Sequence, residues 1–163
     1  MSARIKDAKD KIVIWLKEEF LSPEEIPDPN AYFNVKIKEG DLWLNVVQNS
    51  RKIDSLFVGT KWILSRDQLE SHKTKMDESK RIAFYWNLQS MLLVNNRLGD
   101  FEIGPNPPHD FRELFVSSNP VFYDSLTKQS LMHSIYAVHR SIIASVFLFK
   151  KYCGEFPPLV DMK

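Results

Sequence analysis

The fold is decided by residues 32–47, YFNVKIKEGDLWLNVV, in which apolar and polar residues alternate on both sides of a glycine. Phe33, Val35 and Ile37 share one face of the first half, and the alternation resumes from Leu42. A period of two is typical of a strand that is buried on one face. Gly40 supplies the positive φ that a tight turn requires. The stretch therefore predicts a β-hairpin.

A third strand follows the hairpin in the sequence. Residues 55–64 are rich in β-branched and aromatic side chains, and Gly59 marks a bulge or a close approach of another backbone. The polar residues 48–54 form the link. Three consecutive strands with short links predict an antiparallel meander.

An amphipathic helix precedes the hairpin. Apolar residues recur at intervals of three and four from Ile5 to Phe20, and Ser2 is the predicted N-cap. Pro23, Pro27 and Pro29 then exclude a helix or a central strand. We therefore expect a loop between this helix and the hairpin.

A long helical stretch follows the meander. Ser65 and Gln68 form a capping-box pattern at its start, and the almost entirely polar residues 71–80 indicate a break within it. Residues 81–95 are strongly apolar. Four residues that share one side of that segment are Ile82, Trp86, Gln89 and Leu93. Further apolar residues widen this side, which predicts a helix mostly buried on the sheet.

Two short strands and a long helix complete the predicted elements. The second helix ends at residues 98–100, and strands near Phe101 and over residues 111–116 flank a proline-rich loop. Thr127 is the predicted N-cap of the last helix, and Gly154 ends it.

These elements predict an α+β fold. We expect an antiparallel sheet of about five strands, in the order α-β-β-β-α-β-β-α, with the helices packed on the sheet. Residues 1–154 are predicted to form a single α+β domain, and residues 155–163 a C-terminal tail.

Composition narrows the class of protein. The chain has 163 residues and a formal net charge of +1, which argues against a nucleic-acid partner. Cys153 is the single cysteine, which excludes an intrachain disulfide and favours the cytoplasm. The apolar run at residues 142–149 is shorter than the roughly 20 residues of a membrane-spanning helix, so no membrane partner is expected.

The four histidines do not follow a metal-binding pattern. His133 and His139 are six residues apart, whereas two metal ligands on a helix are usually three or four apart. We expect His133 and His139 to be surface or half-buried helix histidines. The sequence therefore predicts no metal and no cofactor.

Two weak pairs of candidate ligand contacts remain. His109 and Asp110 follow a proline-rich loop that can hold an imidazole against a carboxylate. No glycine-framed nucleophile accompanies them, so a polar pair at a loop rim is the favoured interpretation. Tyr136 and Arg140 are four residues apart on the last helix, so both side chains can contact the same anion. No catalytic residue is assigned.

Two features suggest interaction surfaces. Trp43 and Trp62 lie in the meander and can contact a partner from whichever sheet face the helices leave open. A line of small residues on the last helix indicates a close contact, either with a second copy of the chain or, as the favoured interpretation, with the first helix or the sheet of the same domain. These small residues are Ser130, Ser134, Ala137, Ser141, Ala144 and Ser145.

The order of elements resembles the fold of type III secretion chaperones and the related YbjN-like proteins. NVKIKEGDLWLNVV (residues 34–47), FEIGPNPP (residues 101–108) and the long helix beginning near Thr127 are also similar to an archaeal family of uncharacterised proteins in that fold group. The resemblance covers nearly the whole chain. It implies a small homodimeric protein that holds an extended segment of a partner, and it transfers no catalytic residue.

The sequence favours a non-enzymatic protein-interaction module, chaperone-like or adaptor-like, that acts as a homodimer and binds an unidentified protein. The reason is that the sequence is rich in apolar residues and contains no group of residues spaced for a known reaction. The alternative is a small-molecule-binding domain or an enzyme with a cavity between the sheet and the last helix. That cavity would use His109 and Asp110, together with Tyr136 and Arg140.

Overall fold

The computed structural model describes residues 3–52, 54–107 and 109–154. Its helices are α1 (Ala3–Glu18), α2 (Arg66–Lys75), α3 (Glu78–Leu93) and α4 (Lys128–Cys153), with a 3₁₀ helix at Tyr123–Ser125. Its strands are β1 (Glu24–Glu25), β2 (Ala31–Glu39), β3 (Leu42–Asn49), β4 (Ser55–Ile63), β5 (Leu98–Asn106), β6 (Asp110–Ser118) and β7 (Val121–Phe122). The predicted N-cap Ser2 and the predicted tail lie outside the described residues.

Among the described residues, seven strands form a sheet in the order β1-β2-β3-β4-β6-β5, and β7 pairs with β4 beside that path. The α+β class and the antiparallel meander are confirmed. The expected number of about five strands, and hence the expected order, is wrong. Strands β1 and β7 have two residues each, which is too short for a periodic signal in the sequence.

The β2–β3 hairpin has the predicted turn and the predicted buried face. Lys38 pairs with Trp43 across the hairpin, and Gly40 has a φ of 59°. On the buried face, Ile37 and Leu44 are both 0% exposed. β1 pairs with the outer edge of β2, which is where a segment flanked by prolines is tolerated.

Strands β4 and β6 run antiparallel. The Val58 backbone N–H donates to Ser118 Oγ over 3.0 Å. Directly after the end of β4, the Leu64 N–H donates to the Arg112 carbonyl over 2.8 Å. The residue numbers of β6 fall as those along β4 rise, so the two strands run in opposite directions.

Strands β5 and β6 are longer than predicted, with nine residues each. α3 ends at Leu93, and residues 98–100, expected to end that helix, begin β5 instead. Gly99 makes this pairing possible, because a Cβ at this position would lie only 2.5 Å from the Ser118 carbonyl oxygen. Hydrogen bonding to a neighbouring strand, which a local pattern does not report, extends these strands.

The second helical stretch is broken, as predicted. Ser65 and Gln68 form the expected capping box at the start of α2. α2 ends at Lys75, and Asp77 Oδ1 then accepts a hydrogen bond of 2.8 Å from the Lys80 N–H at the start of α3. The polar segment 71–80 therefore contains a helix end and a new helix start.

The contacts of the chain divide it into two compact units. Unit 1 comprises Met1–Thr60, Arg97–Asp100 and Val116–His139, and unit 2 comprises Lys61–Asn96, Phe101–Phe115 and Arg140–Lys163. The core of unit 1 packs one face of β2–β4 against α1 and the start of α4. Its members include Ile12, Leu16, Val35, Ile37, Leu44, Val46, Leu131, Ile135 and Val138. The predicted single domain over residues 1–154 includes residues of both units and stays a prediction.

α4 spans 26 residues and supplies buried side chains to both units. By length and apolar composition it is the one described helix that is long enough to cross a membrane. Leu131 and Ile135 are nevertheless 0% exposed in unit 1, and Phe149 is 1% exposed in unit 2. Such burial is typical of a core helix in an α+β domain.

Thr127, the predicted N-cap residue, caps the first turn of α4. Thr127 Oγ1 accepts a hydrogen bond of 3.0 Å from the Ser130 N–H, and Ser130 Oγ accepts one of 2.9 Å from the Thr127 N–H. The two residues thus satisfy each other's backbone donors, as in a capping box.

Replacing Thr127 with alanine should lower the free energy of unfolding by about 1 kcal/mol, since the Ser130 N–H loses its acceptor. Urea denaturation followed by circular dichroism measures this change. Thr74→Ala, inside the exposed face of α2, is the matched control and should change stability by less than about 0.5 kcal/mol. Equal effects of the two variants would contradict a capping role.

Candidate functional site

The interior of unit 2 is a cluster of six rings, which we call the aromatic cluster: Trp62, His72, Phe84, Phe111, Phe149 and Tyr152. Five elements supply them, namely β4, α2, α3, β6 and α4. Phe84 and Phe111 are 5.2 Å apart between ring centroids, and Trp62 and Phe149 are 5.7 Å apart. Both pairs meet edge to face, which is a favourable aromatic geometry. The cluster therefore fixes α2 and α3 relative to the strands of unit 2.

His72 is the titratable member of this cluster. It is 3% exposed, and its ring lies 6.3 Å from that of Phe149 with an angle of only 10° between the planes. Within the described residues, its buried Nε2 has no hydrogen-bond partner. Burial lowers the pKa of His72, Arg81 and Lys73 lower it further, and Asp110 opposes them.

No pattern in the sequence singles out His72, although the structure buries it. His72 stands in the polar stretch ESHKTK (residues 70–75), which lies between Leu69 and Met76. Local polarity therefore indicated solvent exposure, whereas rings from distant segments bury the imidazole.

The His109–Asp110 pair is not assembled as an acid–base pair in the described residues. His109 is exposed, and Asp110 is engaged by Arg112. Arg112 Nε donates to Asp110 Oδ1, and Arg112 Nη2 contacts Asp110 Oδ2, each over 2.9 Å. This hydrogen bonding holds the pKa of Asp110 below its usual range. A carboxylate so stabilised is a weak proton acceptor, and the interpretation as a polar pair at a loop rim stays a prediction.

Tyr136 and Arg140 occupy different surroundings. Tyr136 is half-buried and packs against the core of unit 1. Arg140 is exposed and borders a cleft of about 200 Å³ in unit 2, next to Leu92, Asn95 and Ser141. A shared anion site at these two residues stays a prediction.

The two candidate tryptophans also differ in exposure. Trp62 lies in the aromatic cluster, with its ring 5.6 Å from that of Phe111. Trp43 is 48% exposed on β3, with Lys36 Nζ 4.2 Å and Lys38 Nζ 6.0 Å from its ring centroid. These distances place two ammonium groups within cation–π range of one indole.

The buried side of α3 differs from the one that the sequence indicated. Its buried residues are Phe84, Leu88 and Leu92. The other side carries Ile82, Trp86 and Leu93, which we call the α3 stripe, at 37%, 59% and 68% exposure. The prediction that this side is buried on the sheet is wrong for these three residues, whereas Leu88 and Leu92, which widened the predicted side, are buried. α3 is apolar on both sides, so its periodicity alone does not identify the side that meets the core.

Two members of the line of small residues on α4 are buried in unit 2. Ser141 is 6% exposed and Ser145 is 0% exposed. Ser145 Oγ donates to the Ser141 carbonyl over 2.7 Å, and Asn95 Nδ2 donates to Ser141 Oγ over 3.0 Å. These hydroxyls therefore serve packing within unit 2.

Tyr123 is a buried polar group in unit 1. Its hydroxyl has no hydrogen-bond partner among the described residues. Burial raises the pKa of Tyr123 to about 12. The phenol therefore stays protonated at neutral pH, which makes it unsuited to act as a general base.

Two further clefts are lined by polar side chains. In unit 2, a cleft of about 360 Å³, called here the lysine cleft, is bordered by Lys75, Lys80, Lys151, Tyr152, Cys153 and Gly154. In unit 1, a cleft of about 290 Å³ is bordered by residues that include Arg97, Ser125, Ser130 and His133. In the described part of the chain, no group of three or more His, Cys, Asp or Glu residues is arranged to hold a metal ion.

These features define an α+β protein with an aromatic interior in one unit and an uncovered apolar helix side. The family model described as "Uncharacterized conserved protein (DUF2299)" matches residues 8–149. The chain therefore belongs to this family.

A solved structure is similar over most of the chain. It is described as the crystal structure of an uncharacterized protein from Methanothermobacter thermautotrophicus, and it aligns with a TM-score of 0.80 at 23% identity. The alignment covers 88% of this chain and 97% of that chain. This likeness shows a shared fold. None of the curated proteins to which the sequence was compared matches it.

Truncating Phe111 to alanine should lower the free energy of unfolding by about 3–5 kcal/mol, because it leaves a cavity among four rings. The free energy of unfolding in urea measures the loss. Phe122→Ala removes the same atoms from a residue that is 51% exposed, and it should change stability by about 0.5 kcal/mol or less. Similar losses in the two variants would show that the aromatic cluster is not a stabilising core.

Proposed function

We propose that this protein is a non-enzymatic protein-interaction module that acts as a homodimer through the α3 stripe. The observation that carries the proposal is the exposure of Ile82, Trp86 and Leu93 along one side of α3. Exposed apolar side chains that are contiguous on one element are typical of association surfaces. Tryptophan in particular is enriched among the residues that dominate binding energy.

The charge pattern of α3 supports a second copy of the chain as the occupant. Residues 82–96 contain no charged residue. In a two-fold symmetric interface each residue near the axis faces its own counterpart. A charged surface would repel its copy there, whereas an apolar and uncharged helix side is compatible with itself. Two such helices can approach to about 8–10 Å between axes.

A chaperone-like or adaptor-like role is the finer part of this proposal. It draws support from the resemblance of the element order to type III secretion chaperones. Trp43 with Lys36 and Lys38 is the surface that we assign to the partner protein. An exposed indole beside two ammonium groups suits a segment that presents both apolar and acidic side chains. The proposed location is the cytoplasm, in keeping with the single buried free cysteine, Cys153.

The wild-type protein should be a dimer in sedimentation velocity, and Trp86→Lys with Leu93→Lys should be a monomer. The substitutions place like charges against each other across the two-fold axis, and loss of the indole alone should raise Kd by about 30-fold or more. Circular dichroism confirms that the variant is folded.

Ile14→Lys is the matched control, because Ile14 is an apolar helix residue of 55% exposure outside the α3 stripe. It should leave the dimer intact. A wild-type monomer at high micromolar concentration would overturn the homodimer, as would a dimer that Ile14→Lys dissociates and the α3 variant does not.

Small-molecule binding is the second candidate function, and the lysine cleft is the observation that favours it. Two ammonium groups, those of Lys80 on α3 and Lys151 on α4, border a volume of about 360 Å³. This volume lies in the range of ligand pockets, about 300–1,000 Å³. Among the described residues that border it, none is acidic. An anionic ligand therefore fits this cleft better than a neutral or cationic one.

Titration with inorganic phosphate, followed by ¹H–¹⁵N NMR, tests this second candidate. The amide signals of Tyr152 and Lys151 should shift and saturate at millimolar phosphate. Lys80→Ala with Lys151→Ala should weaken binding by about tenfold or more, as two charge-assisted contacts are lost. Lys6→Ala with Lys17→Ala, in α1, removes the same charge elsewhere. Shifts that do not saturate, or that both double variants weaken equally, would exclude the site.

A further inference from the structure

α2 contributes one buried side chain, that of His72, to unit 2. All ten residues of α2 are described, and His72 is the one that is buried. Leu69, the apolar residue of this helix, is only half-buried. A helix of ten residues has little stability of its own in water. The contact between His72 and the rings of Phe111 and Phe149 therefore contributes to holding α2 in place.

The segment that carries His72 lies between two fixed points. Leu64 is 4% exposed directly before the N-cap of α2, and Met76 is 1% exposed directly after its last residue. Between them, the exposed face of α2 is polar. Residues 65–75 can therefore leave the aromatic cluster while both ends of the segment stay anchored.

The charged groups around His72 disfavour a protonated imidazole. From α2, Lys73 adds positive charge, and from α3, Arg81 adds more. Arg81 is held in place because its Nε donates to the Met76 carbonyl over 2.9 Å. From β6, Asp110 is the opposing negative group, but Arg112 already takes both of its carboxylate oxygens. From α4, the group that faces His72 is the apolar ring of Phe149.

We propose that α2 covers the aromatic cluster at neutral pH and detaches from it at acidic pH. Protonation of His72 detaches residues 65–75 and exposes the rings of Phe111 and Phe149, while α3 and α4 stay folded. An imidazolium without a paired charge is costly in an apolar interior. In water, by contrast, the charged form is fully solvated. Protonation therefore favours the detached state.

The direction of the pH dependence follows from the lowered pKa of His72 in the docked state. The detached imidazole titrates near 6.5. Docking is therefore fully favourable above that pH, and it weakens as the pH falls below it towards the lower pKa of the docked state. Each pH unit of difference between the two pKa values changes the equilibrium constant for docking tenfold.

Hydrogen–deuterium exchange of the full-length protein between pH 7.5 and pH 5 tests the proposal, with rates corrected for the intrinsic pH dependence of exchange. Protection of residues 65–75 should fall by about tenfold or more on acidification, whereas protection of residues 140–153 should not change. In His72→Phe, which keeps a ring but does not titrate, α2 should stay protected at both values. His133→Gln, at an exposed position on α4, should behave as wild type.

A measurement on the wild type decides the matter if His72→Phe does not fold. The ¹³Cε1 signal of His72 should titrate with the same midpoint as the loss of α2 protection. The proposal is overturned if α2 stays protected at acidic pH, if His133→Gln removes the effect, or if the two midpoints differ by more than about half a unit.

Discussion

The burial of one face of α4 is the interaction on which the rest of the structure depends. Leu131, Ile135 and Val138 fill the core of unit 1 against β2–β4. Phe149, three turns later, supplies a ring to the aromatic cluster of unit 2. A 26-residue helix thus contributes to the interior of each unit. Its apolar composition, which by itself resembles that of a membrane helix, is explained by these two sets of contacts.

The parts of the fold that the sequence predicted are those that local chemistry determines. The β2–β3 hairpin follows from alternation and Gly40, and the start of α4 follows from the side chains of Thr127 and Ser130. The break before α3 follows from Asp77 as an N-cap. In each case the residues that determine the element are neighbours in the chain, so their pattern is visible without the rest of the molecule.

The parts that could not be predicted depend on distant residues. The sequence of Leu98–Asp100 is typical of a helix end, but these residues form a strand because β6 pairs with them. α3 is apolar on both sides, and its contacts with Phe111 and Phe149 determine which side is buried. The candidate site shows the same limit. His109 and Asp110 were noticed because they are adjacent, whereas His72 was missed because its apolar surroundings come from β6 and α4. Its stretch of sequence carries no signal that could have revealed this burial.

The distribution of tryptophan has a consequence for optical work on this protein. Trp62 lies within the aromatic cluster, whereas Trp43 and Trp86 are about half exposed on two different surfaces. Indole emission shifts to longer wavelength as water gains access to the ring. The steady-state emission of the protein is therefore a sum of interior and surface contributions. A soluble quencher would remove the surface contributions first and leave the bluer emission of Trp62 in unit 2 and of Trp15, which is partly buried against the core of unit 1.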